Sequence, residues 1–200
     1  MGYLIVVGGH EGAGASTISK MMARNLGMHL FSDEVILRDI AAQNGYSSFN
    51  KFLLSDYYNE HYEELYSMLD DKLIQASSWH NLIIESRYFA VIAHKLKIAC
   101  TVRIWLEVDI DKRARRYLHR VHKLDIGKKL STESKMFKEV VTSLETDLLK
   151  ETKRITKKYQ VDCSDPSKYN DIVFNSTAYN AGDTFNKLLT LIYDGKYLSD

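Results

Sequence analysis

The stretch that decides the fold runs "YLIVV" (residues 3–7), "GGHEGAGASTISK" (8–20) and "MMARNLG" (21–27). The first part is a short apolar run of the kind that forms a buried parallel strand, and the last part carries a helical pattern. Between them lies a glycine-rich turn. Strand, turn and helix in this order let backbone N–H groups curl around a phosphate at a helix N-terminus. Gly9, Gly12 and Gly14 permit positive φ angles and close approach of an anion. Ser16 or Thr17 is expected to place a hydroxyl on a metal ion.

Against the phosphate-loop template G-x-x-x-x-G-K-[ST], Gly9 and Gly14 fall in register. His10, Glu11, Gly12 and Ala13 fill the places between them, and Ser16 supplies the hydroxyl. Ala15 stands where the template has lysine. The cradle is built from backbone and should survive that change, but the mobile cation that follows a transferring phosphoryl group is missing.

The rest of the chain repeats the strand-then-helix order. "MHLFS" (28–32) reads as a second strand, with Ser32 or Asp33 capping a helix through "EVILRDIAAQN". "SSFNKFLL" is a short helix, and residues 57–79 carry apolar residues at three- and four-residue spacing, which predicts one helix. "NLIIE" (81–85) is a third strand ending in a carboxylate. A helix over 88–95 leads to a fourth strand, "CTVRIWLEV" (100–108), and then a basic helix, "KRARRYLHRVHK" (112–123). A long amphipathic segment (132–159), a fifth strand "NDIVFN" (170–175) and a final helix (184–193) complete the chain. This alternation predicts an α/β fold: a three-layer α/β/α P-loop NTPase architecture on a five-stranded parallel sheet.

Composition sets bounds. Two hundred residues with one proline read as one domain with a real core. The 27 basic and 26 acidic residues nearly cancel, so no nucleic-acid polymer is expected as a partner. No run approaches membrane-spanning length, and Cys100 and Cys163 stand far apart, as in a reducing compartment. A cytoplasmic protein without a membrane partner is the expectation, as a monomer or homodimer.

Several residues could carry chemistry. Glu85, closing an apolar strand beside the loop, is placed where a carboxylate would hold Mg²⁺ together with Ser16. Arg87 lies just past that strand, and Arg38 sits on the helix after strand two. Arg113, Arg116 and Arg120 share one face of the basic helix, and arginine forks suit bidentate phosphate recognition. Arg154, late in the long helix, could return to the same crevice. The aromatic stretch Tyr57, Tyr58, Tyr62, Tyr66 and Trp79 could stack a base, although such a stripe is more often core.

Together these segments resemble the cytidylate kinase and cytidylate kinase-like proteins among the P-loop nucleoside monophosphate kinases. "IVVGGHEGAGAST", "ARNLGMHLFSDEVILRDIA", "LIIESR", "VRIWLEVDIDKRARR" and "KRITKKYQVDCSDPSKYNDIVFNST" carry the resemblance over nearly the whole chain. It implies ATP and Mg²⁺ as cofactors and small nucleotides as substrates, with the γ-phosphoryl moving to CMP or dCMP. By position, the loop from Gly9 to Thr17 would hold the ATP phosphates, and Arg113 would lie against the adenine. Arg116, Arg120 and Arg154 would surround the transferred group from a lid spanning about 113–150. Asp33, Arg38 and Arg87 would serve the acceptor beside a helical flap spanning about 33–79. Ala15 departs from the family pattern, as does Asp147 where a second lid arginine is common. The alternatives are a catalytically weak nucleotide-binding or regulatory protein, and a kinase of another small metabolite.

Overall fold

The computed structural model describes residues 2–122 and 131–198. Within them, five parallel strands run β1 (Leu4–Gly9), β2 (His29–Ser32), β3 (Leu82–Glu85), β4 (Val102–Glu107) and β5 (Ile172–Asn175). Their spatial order is β2-β3-β1-β4-β5, so the strand that feeds the glycine loop is central, paired on both sides. Its neighbours end level with it: Val7 lies opposite Glu85, and Gly9 opposite Leu106. The end of β2 joins the same edge through Ser32 opposite Glu85. Chain reversals at this edge make the crevice in which open parallel sheets bind ligands.

Alternation along the strands builds two cores. Leu4, Val6, Leu82 and Ile84 face α2 (Asp33–Gln43), α5 (Tyr62–Ala76), α6 (Phe89–Leu96) and the end of α8 (Lys135–Tyr159). Ile5, Val7, Ile83, Val102, Ile104 and Leu106 face α1 (Ala15–Leu26) and α9 (Ala181–Asp194). The layers are therefore helix, sheet and helix, as the sequence pattern implied. A third, small cluster joins Ala114 and Leu118 of α7 (Ile110–His122) to Phe137, Val140 and Leu144 of α8. The expected lid of about 113–150 includes residues 123–130, which lie outside the described residues.

Residues 57–79, read as one helix, form two pieces. α3 (Phe49–Leu53) and α4 (Asp56–Glu60) precede α5, and His61 between α4 and α5 has φ −100° and ψ 16°. The imidazole Nδ1 lies 3.0 Å from the Tyr57 carbonyl, a side-chain contact that competes with helix continuation. At the far end, Ser77 and Ser78 hydroxyls donate back to the Ile74 and Gln75 carbonyls, stopping α5 before Trp79. Ser32 caps α2 by accepting from the Val35 N–H, settling the choice between Ser32 and Asp33. Among the described residues no helix is long and apolar enough to cross a membrane.

Candidate functional site

The glycine loop leaves β1 at Gly9 and enters α1 at Ala15. Gly12 and Gly14 have φ +82° and +101°, so the turn uses the left-handed backbone that glycine permits. Gly9 does not: it is the last residue of β1, and its missing Cβ serves a different need. A Cβ there would stand 2.9 Å from the Leu106 carbonyl oxygen of the neighbouring strand. The turn closes through Ala13 N–H donating to the His10 carbonyl at 2.8 Å, and Thr17 and Ile18 N–H donate to Gly14. Ala15 is 8 % exposed, its methyl packed into the core beneath the loop.

Ser16 and Glu85 meet. The Ser16 hydroxyl donates to Glu85 Oε1 at 3.1 Å, bringing together residues 69 apart in sequence at the first turn of α1 and the end of β3. This all-oxygen pair has the donor chemistry that suits Mg²⁺. Burial raises the Glu85 pKa, with Glu34 adding to the rise; Ser16, Lys20 and Arg87 hold it down in part. Asp33, the first residue of α2, has its pKa raised further by burial and then by the charges of Glu85 and Glu151. Its Oδ1 is buried without a hydrogen-bond partner.

An acid whose folded pKa is raised contributes stability below its unfolded value, and that contribution is lost as pH rises through the folded value. Asp33→Asn is therefore expected to raise the melting temperature at pH 8 more than at pH 5 in chelator-treated buffer. An equal shift at both pH values would show that Asp33 is an ordinary ionised carboxylate.

His10 lies in the loop with its ring edge-on to Trp105, centroids 5.0 Å apart. Burial lowers its pKa to about 4, helped by the charges of Arg113 and Arg87, so it is neutral at physiological pH. By the same linkage with opposite sign, its contribution is complete above the ordinary value of 6.5 and lost as pH falls toward about 4.

The arginines divide by partner. Arg116 Nη1 donates to the Gly12 and Ala13 carbonyls, both at 2.9 Å. Arg120, 62 % exposed, reaches the Glu11 carboxylate at 2.5 Å. Arg113, expected against the adenine, is folded under the loop instead. It is 8 % exposed, and its Nε donates to the Val108 carbonyl at 3.1 Å. Arg154, expected in the lid, faces inward: it is 5 % exposed and pairs with Asp70 through two contacts, at 2.7 and 3.3 Å. The physical reason is the register of α8, which turns Arg154 to the same side as the fully buried Ile155 and as Tyr159, whose hydroxyl also donates to Asp70. Arg38 is exposed, paired with Glu34 one turn back and set over the Phe49 ring at 4.5 Å. Arg87, two residues past the end of β3, is largely buried and paired with Glu151 of α8.

The family model described as an AAA domain matches residues 5–136, well over half the chain and all of the loop, β3, β4 and α7. The chain belongs to this family. The resemblance to cytidylate kinases holds as well. A curated relative named cytidylate kinase from Methanococcus vannielii is 28 % identical over 187 residues, covering 92 % of this chain and 95 % of the relative. One from Methanocaldococcus jannaschii is 25 % identical over 185 residues, covering 92 % and 93 %. Among solved structures, a shikimate kinase from Acinetobacter baumannii in complex with shikimate shares the fold at TM-score 0.58 and 15 % identity, covering 98 % of this chain and 95 % of that one. A thymidylate kinase from Candida albicans aligns at TM-score 0.53 and 16 % identity over 100 % and 96 %.

Two participants went unread in the sequence. Glu151 and Asp70 are acids on amphipathic helices, where an acid is ordinarily a solvated face residue. Within this family fold, each neutralises an arginine from another element. The tyrosines of the flap region also gather: Tyr58 and Tyr66 share a hydroxyl–hydroxyl bond of 3.0 Å, and Lys150 Nζ lies 3.5 Å from the Tyr62 ring centre. Trp79 is apart from them, tilted against Phe31.

Proposed function

We propose that the chain is a phosphotransferase that moves the γ-phosphoryl of ATP to a nucleoside monophosphate, with CMP or dCMP as the first acceptor to test. The observation that carries this reading is the Ser16–Glu85 contact beside the glycine turn, with the charge of Arg87 close enough to act on Glu85. Phosphoryl transfer needs little covalent chemistry from a protein, and catalysis is positioning plus electrostatic stabilisation. Loop amides between Gly9 and Thr17 would hold the donor phosphates. Ser16 and Glu85 would hold Mg²⁺, which neutralises charge on the β- and γ-phosphate oxygens when bound. Arg87 would receive the acceptor's phosphate on leaving Glu151. Arg116 and Arg120 would bring cationic charge from α7, and closure of the α7–α8 pair would keep water from the transferring group. Arg154 has no place in this scheme, because Asp70 holds it in the core.

The names of the relatives favour a nucleotide acceptor. The runner-up, a nucleotide-binding protein with little chemistry, is favoured by one observation: Ala15 leaves the loop without its own cation. Coupled measurement of ADP release over a panel of nucleoside monophosphates, with shikimate-like hydroxy acids as controls, separates the two. Turnover with CMP or dCMP above the control rate is the expected result. Tight Mg·ATP binding with no turnover of any acceptor would sink the phosphotransferase reading. Glu85→Gln and Ser16→Ala are each expected to lower turnover at limiting Mg²⁺, Glu85→Gln by about 10²–10³-fold. Excess Mg²⁺ should restore Ser16→Ala more completely. Unchanged Mg²⁺ dependence in both variants would remove the pair from metal binding.

A further inference from the structure

The loop has a charge problem that its own side chains do not solve. Between Gly9 and Thr17 the ionisable side chains are Glu11, an acid, and His10, held neutral by burial. Ala15 turns its methyl into the core where the template has lysine. Lys20 is more than one turn further down α1, where its charge acts on Glu85. A triphosphate would therefore meet backbone dipoles and one negative side chain.

Helix α7 brings three guanidinium groups to this loop at i, i+3 and i+7. Two are offset by carboxylates: Arg120 is paired with Glu11, and Arg113 is acted on by Glu11 and Glu145. Arg116 differs. Burial lowers its pKa, and among the described residues no acid acts to raise it back. Its Nη1 is fixed by the Gly12 and Ala13 carbonyls and lies 3.6 Å from where a Cβ on Gly14 would stand, next to the residue that replaces lysine. A guanidinium has five N–H donors in a rigid fork, so anchoring one nitrogen on the loop leaves others directed by that anchor.

We propose that Arg116 is the cation the loop lacks: a phosphate-binding side chain delivered from α7 in place of a lysine at position 15. The proposal rests on the phosphotransferase reading for its purpose, but its test reads binding. The charge belongs to a different helix from the cradle, so the donor site is complete only when α7 is docked.

Calorimetric titration of the full chain with Mg·ATP and, separately, AMP tests this on the parent, Arg116→Ala, Arg116→Lys, Ala15→Lys and the Ala15→Lys/Arg116→Ala double variant. Arg116→Ala is expected to weaken Mg·ATP about 10- to 100-fold, the scale of one charge-assisted hydrogen-bond set. AMP should change by less than about 2-fold on the same principle, since it lacks the β- and γ-phosphates. Ala15→Lys should restore Mg·ATP binding in the Arg116→Ala background and add little to the parent, and Arg116→Lys should retain part of the affinity. Equal loss of ATP and AMP affinity in Arg116→Ala would make Arg116 a loop support only and overturn the proposal. So would Ala15→Lys helping both backgrounds equally. If position 15 does not tolerate lysine, a loss of ATP affinity in Arg116→Lys as large as in Arg116→Ala overturns it as well. A cycle that holds for binding while no acceptor is turned over keeps this inference and sinks the phosphotransferase reading.

Discussion

Replacing Arg154 by methionine lowers the unfolding free energy by about 3–5 kcal/mol, the cost of stranding a buried charge. The stranded charge is Asp70, whose side chain is 2 % exposed and which receives Arg154 at 2.7 Å, Lys158 at 3.1 Å and the Tyr159 hydroxyl at 3.1 Å. Arg154→Met removes the bidentate partner and leaves the carboxylate with a partly exposed lysine and a phenol. A second change, Asp70→Asn, removes the negative charge while keeping an oxygen for Tyr159 and Lys158. The double variant is expected to regain most of the loss, because replacing both charges of a buried pair is often near neutral. Urea unfolding of the parent, both single variants and the double variant measures this cycle. A loss in Arg154→Met below about 1 kcal/mol, the range of an exposed ion pair, would return Arg154 to the crevice as a mobile side chain.

Gly12→Ala is the other change with a large expected effect, and Gly14→Ala is its control. Both residues have left-handed φ, which costs an alanine about 1–2 kcal/mol. They differ in what a Cβ would meet. At Gly12 it would stand 2.9 Å from the Arg113 carbonyl oxygen and 3.0 Å from Arg113 Cα, both backbone atoms of α7. At Gly14 the nearest atom is Arg116 Nη1 at 3.6 Å, ordinary contact with a side chain. Gly12→Ala therefore adds an overpacking cost of about 1–3 kcal/mol and pushes α7 off the loop. The expected result is a larger loss of stability in Gly12→Ala than in Gly14→Ala, together with weaker Mg·ATP binding. Equal losses in the two variants would mean that only backbone strain matters and that α7 does not need to lie against the loop.

What could be read from the sequence was local. The strand, glycine turn and helix are contiguous, and their chemistry is written in 25 or so residues, so the loop and its missing lysine were visible at once. Ser16 and Glu85 were also readable, because the glycine loop carries Ser16 from the end of β1 into the first turn of α1, and parallel register brings the end of β3, with Glu85, level with the end of β1. The pairings of the arginines were not. Arg87 with Glu151 and Arg154 with Asp70 join positions 64 and 84 apart, and they depend on which face of α5 and α8 turns inward. Periodicity names an apolar stripe but not the rotation that carries one acid beneath it. In α8, Met136 is 42 % exposed, while Phe137 beside it is 2 % exposed. The break at His61 was hidden for a similar reason: apolar spacing continues across it while the backbone does not.

The two ends of α8 belong to different neighbourhoods. Among the described residues its first turns pack on α7 in a small satellite cluster, whereas Arg154, Ile155 and Tyr159 are seated in the main core against α5. A helix rises about 1.5 Å per residue, so roughly 30 Å of rod extends from Arg154 back to Ser134. The ion pair with Asp70 is then a fulcrum and the rest of α8 a lever arm. By the same helix geometry, a tilt of roughly 10° at the pivot would carry the far end through about 5 Å. A small repacking in the protein's interior would in this way become a wide stroke at its rim.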